Sequence, residues 1–207
     1  MKEFSIISVS IINIVIGVRY CTLTYKQKIK PALAMWAFFT MAVAMSLTTY
    51  MAEGNFSLWD NILNTTDLVL VATVTVFIFI YGDTSTKFTR FDKFCLVAVI
   101  LITVFWLITK THFLSHSLIQ GILVIAYFPV IRRLWLSKEN TEPFSVWILL
   151  MIAPIFSLLS SKGILATVYA VRAIASTAIL MILMLRVEYL KNKSSKEEIE
   201  LDAINQR

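Results

Sequence analysis

The chain has 207 residues, 58% of them hydrophobic and 15% charged, with a mean hydropathy of +0.77. That mix excludes an ordinary soluble domain and belongs to integral membrane proteins. The formal charge of +6 is no nucleic-acid footprint, because the basic residues fall in alternate loops instead of on one soluble face; it is a topology signal.

Crossing about 30 Å of hydrocarbon at 1.5 Å per residue takes roughly 20 apolar residues. Apolar runs at 4–18, 31–52, 58–82, 91–109, 113–131, 143–161 and 164–185 predict seven transmembrane helices joined by short loops. The first run resembles a signal-peptide core in length, but no small-residue cleavage pattern follows it, and Arg19, Lys26, Lys28 and Lys30 come next. Those four, then Lys87, Arg90 and Lys93, then Arg132, Arg133 and Lys138, then Arg186, Lys191, Lys193 and Lys196, load alternate connections with positive charge. The N-terminus is therefore predicted outside and the C-terminus in the cytoplasm, with Lys2 the one dissenter. The segment from Lys191 to Arg207 is charged and apolar-poor, so it is predicted to be a solvated extension or a short surface helix.

A repeat organises these spans. Pro31 precedes Trp36 and then Ser46 and Leu47, while Pro143 precedes Trp147 and then Ser157 and Leu158, with ten residues from each Trp to its Ser. A shift of about 106 to 111 residues lays the first three spans on the last three and leaves the fourth without a counterpart. One helix between two triplets makes the repeats parallel, related by an axis along the membrane normal. The predicted fold is an all-α integral membrane protein of seven transmembrane helices, two parallel three-helix bundles joined by a linker helix. Residues 1–82 form the first bundle, 83–112 the linker, 113–190 the second bundle and 191–207 a cytoplasmic tail.

Tyr127, Phe128 and Pro129 run through Val130, Arg132 and Arg133 into Thr141, Glu142, Pro143 and Trp147. This looks like the proline-centred end of a repeat's first helix, followed by a basic loop and a second helix. With the span pattern, it resembles the SWEET and PQ-loop superfamily of small-solute transporters. Val130 stands where the name-giving Gln would be, and Val18 matches Pro129 in the first repeat. The resemblance implies alternating access between the two bundles, with Trp36 and Trp147 in a gate.

Asp67 and Arg172 are the ionisable residues furthest from any predicted helix end, and a charge kept inside a membrane needs a partner or a cavity. Counted from Leu58 and Ile164, both lie roughly 12–14 Å deep at 1.5 Å per residue. Asn64 shares the stripe of Asp67, and Tyr169 and Ser176 that of Arg172. One reading is a structural ion pair locking the bundles together. Another is a solute cavity in which Arg172 holds a carboxylate or phosphate and Asp67 an amine or a coupling proton; a third leaves one charge facing water alone. Ser46 and Ser157 fall near the same layer, as site residues or as small residues for close helix packing. Trp36 and Trp147 also fit an interfacial aromatic belt. Pro129 and Pro154 each remove a backbone donor and favour a bend, as a hinge or a static kink. Asn13 can line a pore or bond a neighbouring helix.

The function predicted is transport of a small polar solute by alternating access, with a midplane site, no cofactor and no enzyme activity. His112 and His116 lack a third ligand for a metal, and the sequence offers no Ser/His pair, paired acids or metal spacing at one depth. The partners are the solute and the lipid bilayer, with no nucleic acid; the oligomeric state stays open, a homo-oligomer included. The competing classes are a seven-helix receptor or sensor and an accessory membrane subunit without transport. A retinal protein is excluded, because no lysine stands between Ile164 and Leu185.

Overall fold

The structure is a computed structural model that describes residues 1–29, 31, 33–82, 90–136, 140 and 143–205. Lys30, Lys87, Lys138, Thr141 and Glu142 lie outside the described residues, as do the side chains of Pro129, Arg132, Arg133 and Lys196. Among the described residues the chain is all-helical: α1 (Lys2–Tyr25), α2 (Leu33–Glu53), a 3-10 turn (Leu58–Asn61), α3 (Ile62–Tyr81), α4 (Arg90–Thr109), α5 (His112–Ile125), α6 (Phe128–Leu136), α7 (Phe144–Ser157) and α8 (Ile164–Asn205). Four stretches are long and apolar enough to cross a membrane: Lys2–Tyr25, Met35–Glu53, Leu58–Tyr81 and Ile164–Lys193. Lys93–Thr109, His112–Ile125 and Phe144–Ser157 are shorter apolar helices.

The apolar run at 113–131 is broken into α5 and α6 at Ala126 and Tyr127. Pro129 has no N–H to give to the carbonyl four residues back, and the chain tightens there, with Tyr127 N–H bonding Val124 O at 3.1 Å. Pro154, in contrast, lies inside α7, which runs three residues past it before ending in turns. The carbonyl this end leaves at Phe156 accepts a 2.6 Å bond from Ser5 Oγ on α1, so a frayed terminus becomes a joint between helices. The charged segment after Lys191 continues the last apolar helix without a break to Asn205. The sequence from Ile164 to Asn205 holds neither Gly nor Pro to stop it.

The packing follows a pattern of exchange. α1 lies on α3 and α7, α2 lies on α3 and α5, and α8 lies on α7, α5 and α6; α4 rests against α5 and α2. Val9, Phe38, Ala42, Val71, Ile119 and Tyr169 meet in the largest core cluster. α1 approaches α3 closely at Gly17, where a Cβ would stand 3.1 Å from Leu70 Cδ1. Polar side chains are set inside the apolar core and large apolar ones outside: Asn13, Ser46, Asn64, His116 and Gln120 are buried, while Phe79 is 73% and Ile108 77% exposed. In water that arrangement would be costly. Against hydrocarbon it is favourable, because the exposed apolar surface has nothing to gain from burial and most of the buried polar side chains find partners on neighbouring helices.

One end of the bundle is fastened. Lys2 Nζ meets Asp60 Oδ1 at 2.6 Å, and Asp60 Oδ2 accepts from Ser57 N and Ser57 Oγ in a capping box that starts the 3-10 turn. The Asp60 carbonyl takes Lys162 N–H at 2.9 Å, and Tyr50 donates to Lys162 O at 2.9 Å. Gly163 follows at φ +82°, a conformation natural to glycine, and a Cβ there would stand 2.9 Å from the Phe56 ring. Four parts of the chain therefore meet in one knot: the start of α1, the end of α2, the turn before α3 and the α7–α8 loop.

Candidate functional site

The polar side chains buried in the middle of the bundle form two connected groups. In the first, Asp67 on α3 accepts from Asn13 Nδ2 on α1 at 2.9 Å through Oδ1, and from the Tyr169 hydroxyl on α8 at 2.9 Å through Oδ2. Asn13 Nδ2 also donates to Thr66 Oγ1 at 2.7 Å, and its own Oδ1 is buried without a partner. Both carboxylate oxygens are thus held by neutral donors from two other helices.

Arg172 lies one turn after Tyr169 on the same face of α8. Its guanidinium sits over the Tyr169 ring, 4.7 Å from the centroid, and its Nε donates to Gln120 Oε1 on α5 at 3.1 Å. The Tyr127 phenol, at the corner between α5 and α6, faces the same guanidinium. Asp67 and Arg172 are brought to one layer, but no ion pair joins them. Tyr169 stands between, with its hydroxyl on the acid and its ring under the base.

The second group is oriented by that cation. Because Arg172 fixes the Gln120 oxygen, Gln120 Nε2 is left to donate, to Ser46 Oγ at 2.9 Å and to His116 Nε2 at 3.2 Å. His116 must then accept at Nε2 and carry its proton on Nδ1, which points at Ser46 O at 3.1 Å and Thr49 Oγ1 at 3.2 Å. This makes the imidazole neutral. Its partner on Ser46 is the carbonyl, not the hydroxyl, so the contact is not that of a general base on a nucleophile. With the Asn64 amide turned to satisfy its neighbours, Ser46 Oγ donates to Asn64 Oδ1 at 2.9 Å; Asn64 Oδ1 then also accepts from Leu47 N–H at 3.2 Å, and its amide nitrogen donates to Val43 O at 3.2 Å. A single direction of donation runs from Arg172 through Gln120 and Ser46 to Asn64.

Of the residues singled out from sequence, Asp67, Arg172, Tyr169, Asn64 and Ser46 meet in this layer, across α2, α3 and α8. Ser157 does not join it: its hydroxyl donates to Pro154 O within α7 at 2.8 Å. Ser176 is buried one turn beyond Arg172, outside the bonded chain. Trp36 meets Tyr20 at a tilt, with ring centroids 4.7 Å apart, and Trp147 meets Tyr127 at 6.3 Å; Trp36 Nε1 is buried without an acceptor. Pro154 is buried in α7, and Pro129 lies in α6 with its ring outside the described side chains. His112 accepts from Trp106 Nε1 at 2.8 Å, away from His116, and no group of three metal-capable residues occurs among the described residues.

Sequence reasoning left out Gln120 and Thr49. An uncharged side chain in an apolar run raises no alarm, and nothing in the spacing of either residue marked it. Comparison with protein-family models, curated proteins and solved structures found no match.

Proposed function

We propose that this chain is a membrane transporter of a small polar solute, working by alternating access between two parallel three-helix bundles with its site in the polar layer. In this reading α1, α2 and α3 form the first bundle, α4 is the linker, and α5 with α6, α7 and α8 form the second. The packing exchange supports it: α1 meets α3 in its own bundle and α7 in the other, while α5 meets α8 in its own and α2 in the other. The resemblance to SWEET and PQ-loop transporters points the same way, as do basic loops that favour an outside N-terminus and a cytoplasmic C-terminus.

The observation that carries the proposal is the paired polar layer. Asn13 on α1 bonds Asp67 on α3, and Gln120 on α5 bonds Arg172 on α8, so each bundle's first span holds the charge of its third. Within the layer the bonds that cross between bundles, Tyr169 to Asp67, Gln120 to Ser46 and His116 to the Ser46 carbonyl and Thr49, all come from uncharged side chains and are of a kind that can be remade. A layer in which each charge is held within its own bundle and the bundles meet through neutral groups suits rocking about a central site. The knot of Lys2, Asp60, Tyr50 and Lys162 would be the closed outer gate.

Uptake by the purified protein in liposomes tests the reading. Movement of at least one solute from a broad panel of metabolites, above protein-free vesicles, is the expected result. A folded protein that moves none of them would show that the layer serves another purpose.

A further inference from the structure

We infer that Tyr169 holds Asp67 off Arg172, leaving the terminal edge of the Arg172 guanidinium to take an oxyanion of the solute, a carboxylate or a phosphate. The inference rests on the transport reading for the solute's passage, but not for its binding.

A guanidinium has a flat face and two usable edges, and each can be accounted for. The face lies on the Tyr169 ring at 4.7 Å. The Nε edge is spent on Gln120 Oε1 at 3.1 Å. The edge that remains carries Nη1 and Nη2, whose parallel N–H groups form the fork that matches a carboxylate or phosphate. Among the described residues the ion pair is Lys2 with Asp60, at the end of the bundle, and no described carboxylate fills that fork.

The acid placed to fill it is Asp67, and it is restrained. Its Oδ1 is held by Asn13 and its Oδ2 by the Tyr169 hydroxyl. Tyr169 is 1% exposed, so this restraint is packed in place. An ammonium group approaching Asp67 would meet a carboxylate already held by two donors, whereas an oxyanion approaching Arg172 would meet only the neutral Tyr127 phenol beside the guanidinium. Gln120 cannot swing away either, because its amide nitrogen is engaged by Ser46 and His116. Arg172 lies eight residues into α8, roughly 12 Å along the axis, deep for a lipid headgroup and suited to a solute.

The test is thermal stabilisation of the purified full chain in detergent by succinate and by inorganic phosphate, with choline and glucose as contrasts and a short-chain phosphatidylglycerol as the lipid arm. Succinate or phosphate should raise the melting temperature, and choline and glucose should not. Arg172→Lys keeps the charge and loses the fork, so it should weaken the anion at least tenfold. Asp67→Asn removes a nearby negative charge and should strengthen the anion by about three- to tenfold. Tyr169→Phe keeps the ring and frees the carboxylate to move onto Arg172, which should weaken the anion and carries the test if Asp67→Asn does not fold.

Stabilisation by choline or glucose alone, by the lipid alone, or by none of the five overturns the inference. So does an anion affinity that falls in Asp67→Asn or is unmoved in Tyr169→Phe. Uptake into vesicles separates the two readings: anion binding with this mutant pattern but no uptake leaves the oxyanion site and ends the transport reading. Uptake of choline or glucose without any anion does the reverse.

Discussion

Asn13 and Gln120 perform the same task on opposite charges: the Asn13 amide turns its nitrogen to Asp67 at 2.9 Å, and the Gln120 amide turns its oxygen to Arg172 at 3.1 Å. A primary amide is the side chain that can do either, since it carries donor and acceptor on one plane and no charge of its own. In a membrane interior that economy matters, because a charged partner would itself need solvation.

Asn13→Leu should therefore leave one Asp67 oxygen without its donor and cost about 1–3 kcal/mol of stability, the range for a buried polar group left unsatisfied. Asn13→Asp should cost more, because it sets a second carboxylate against the first. Thermal melts of both variants in one detergent check the order; equal losses would mean that the contact is only a packing contact.

At the knotted end, Lys2 and Asp60 should not be equal partners. The Lys2 side chain is 54% exposed and that of Asp60 9%, so Lys2→Met should change stability by about 0–1 kcal/mol and the effect should fade in high salt. Asp60→Ala also loses the capping box on Ser57 and should cost about 0.5–2 kcal/mol at any salt concentration. Melts at low and high salt distinguish the two.

The aromatic pairs at the other end should also behave alike. Tyr20 with Trp36 and Tyr127 with Trp147 are both tyrosine–tryptophan contacts, at 4.7 and 6.3 Å between ring centroids, and in the proposed reading each closes one bundle. Removing either ring contact by Tyr20→Leu or Tyr127→Leu should cost about 0.5–1.5 kcal/mol beyond the area lost. In a vesicle assay both should alter uptake if they flank one gate; an effect confined to one variant would break the equivalence.

Gly17 sets the spacing of α1 on α3. Gly17→Ala brings a methyl 3.1 Å from Leu70 Cδ1, the end of a flexible side chain that can yield, and should be nearly neutral. Gly17→Ile should force the helices apart and cost about 1–3 kcal/mol, read by thermal melting.

The apolar spans and their polar layer were legible in the sequence because hydropathy sets depth, and depth alone brought Asp67, Arg172 and Ser46 to one level. The interposition of Tyr169 was not, since a helical stripe gives the direction of a side chain but not how far it reaches. The stripe itself divides: Asn64 turns to α2 and Asp67 to α1 and α8, although both lie on one side of α3. Ser157 has the register of Ser46 but bonds Pro154 O near the end of its own helix, so equal position in the repeat did not bring equal contacts. The break near Pro129 could be read from the missing N–H; the unbroken α8 could not be read from its charge.

That helix runs 42 residues, about 63 Å at 1.5 Å per residue, roughly twice the hydrocarbon thickness of a bilayer. One end carries Tyr169 and Arg172, and the other is the charged segment after Lys191, so α8 is a lever whose short arm is loaded by the polar layer. A tilt of about 10° would sweep its far end through several ångströms, enough for a distance probe on the charged arm to register what happens around Arg172.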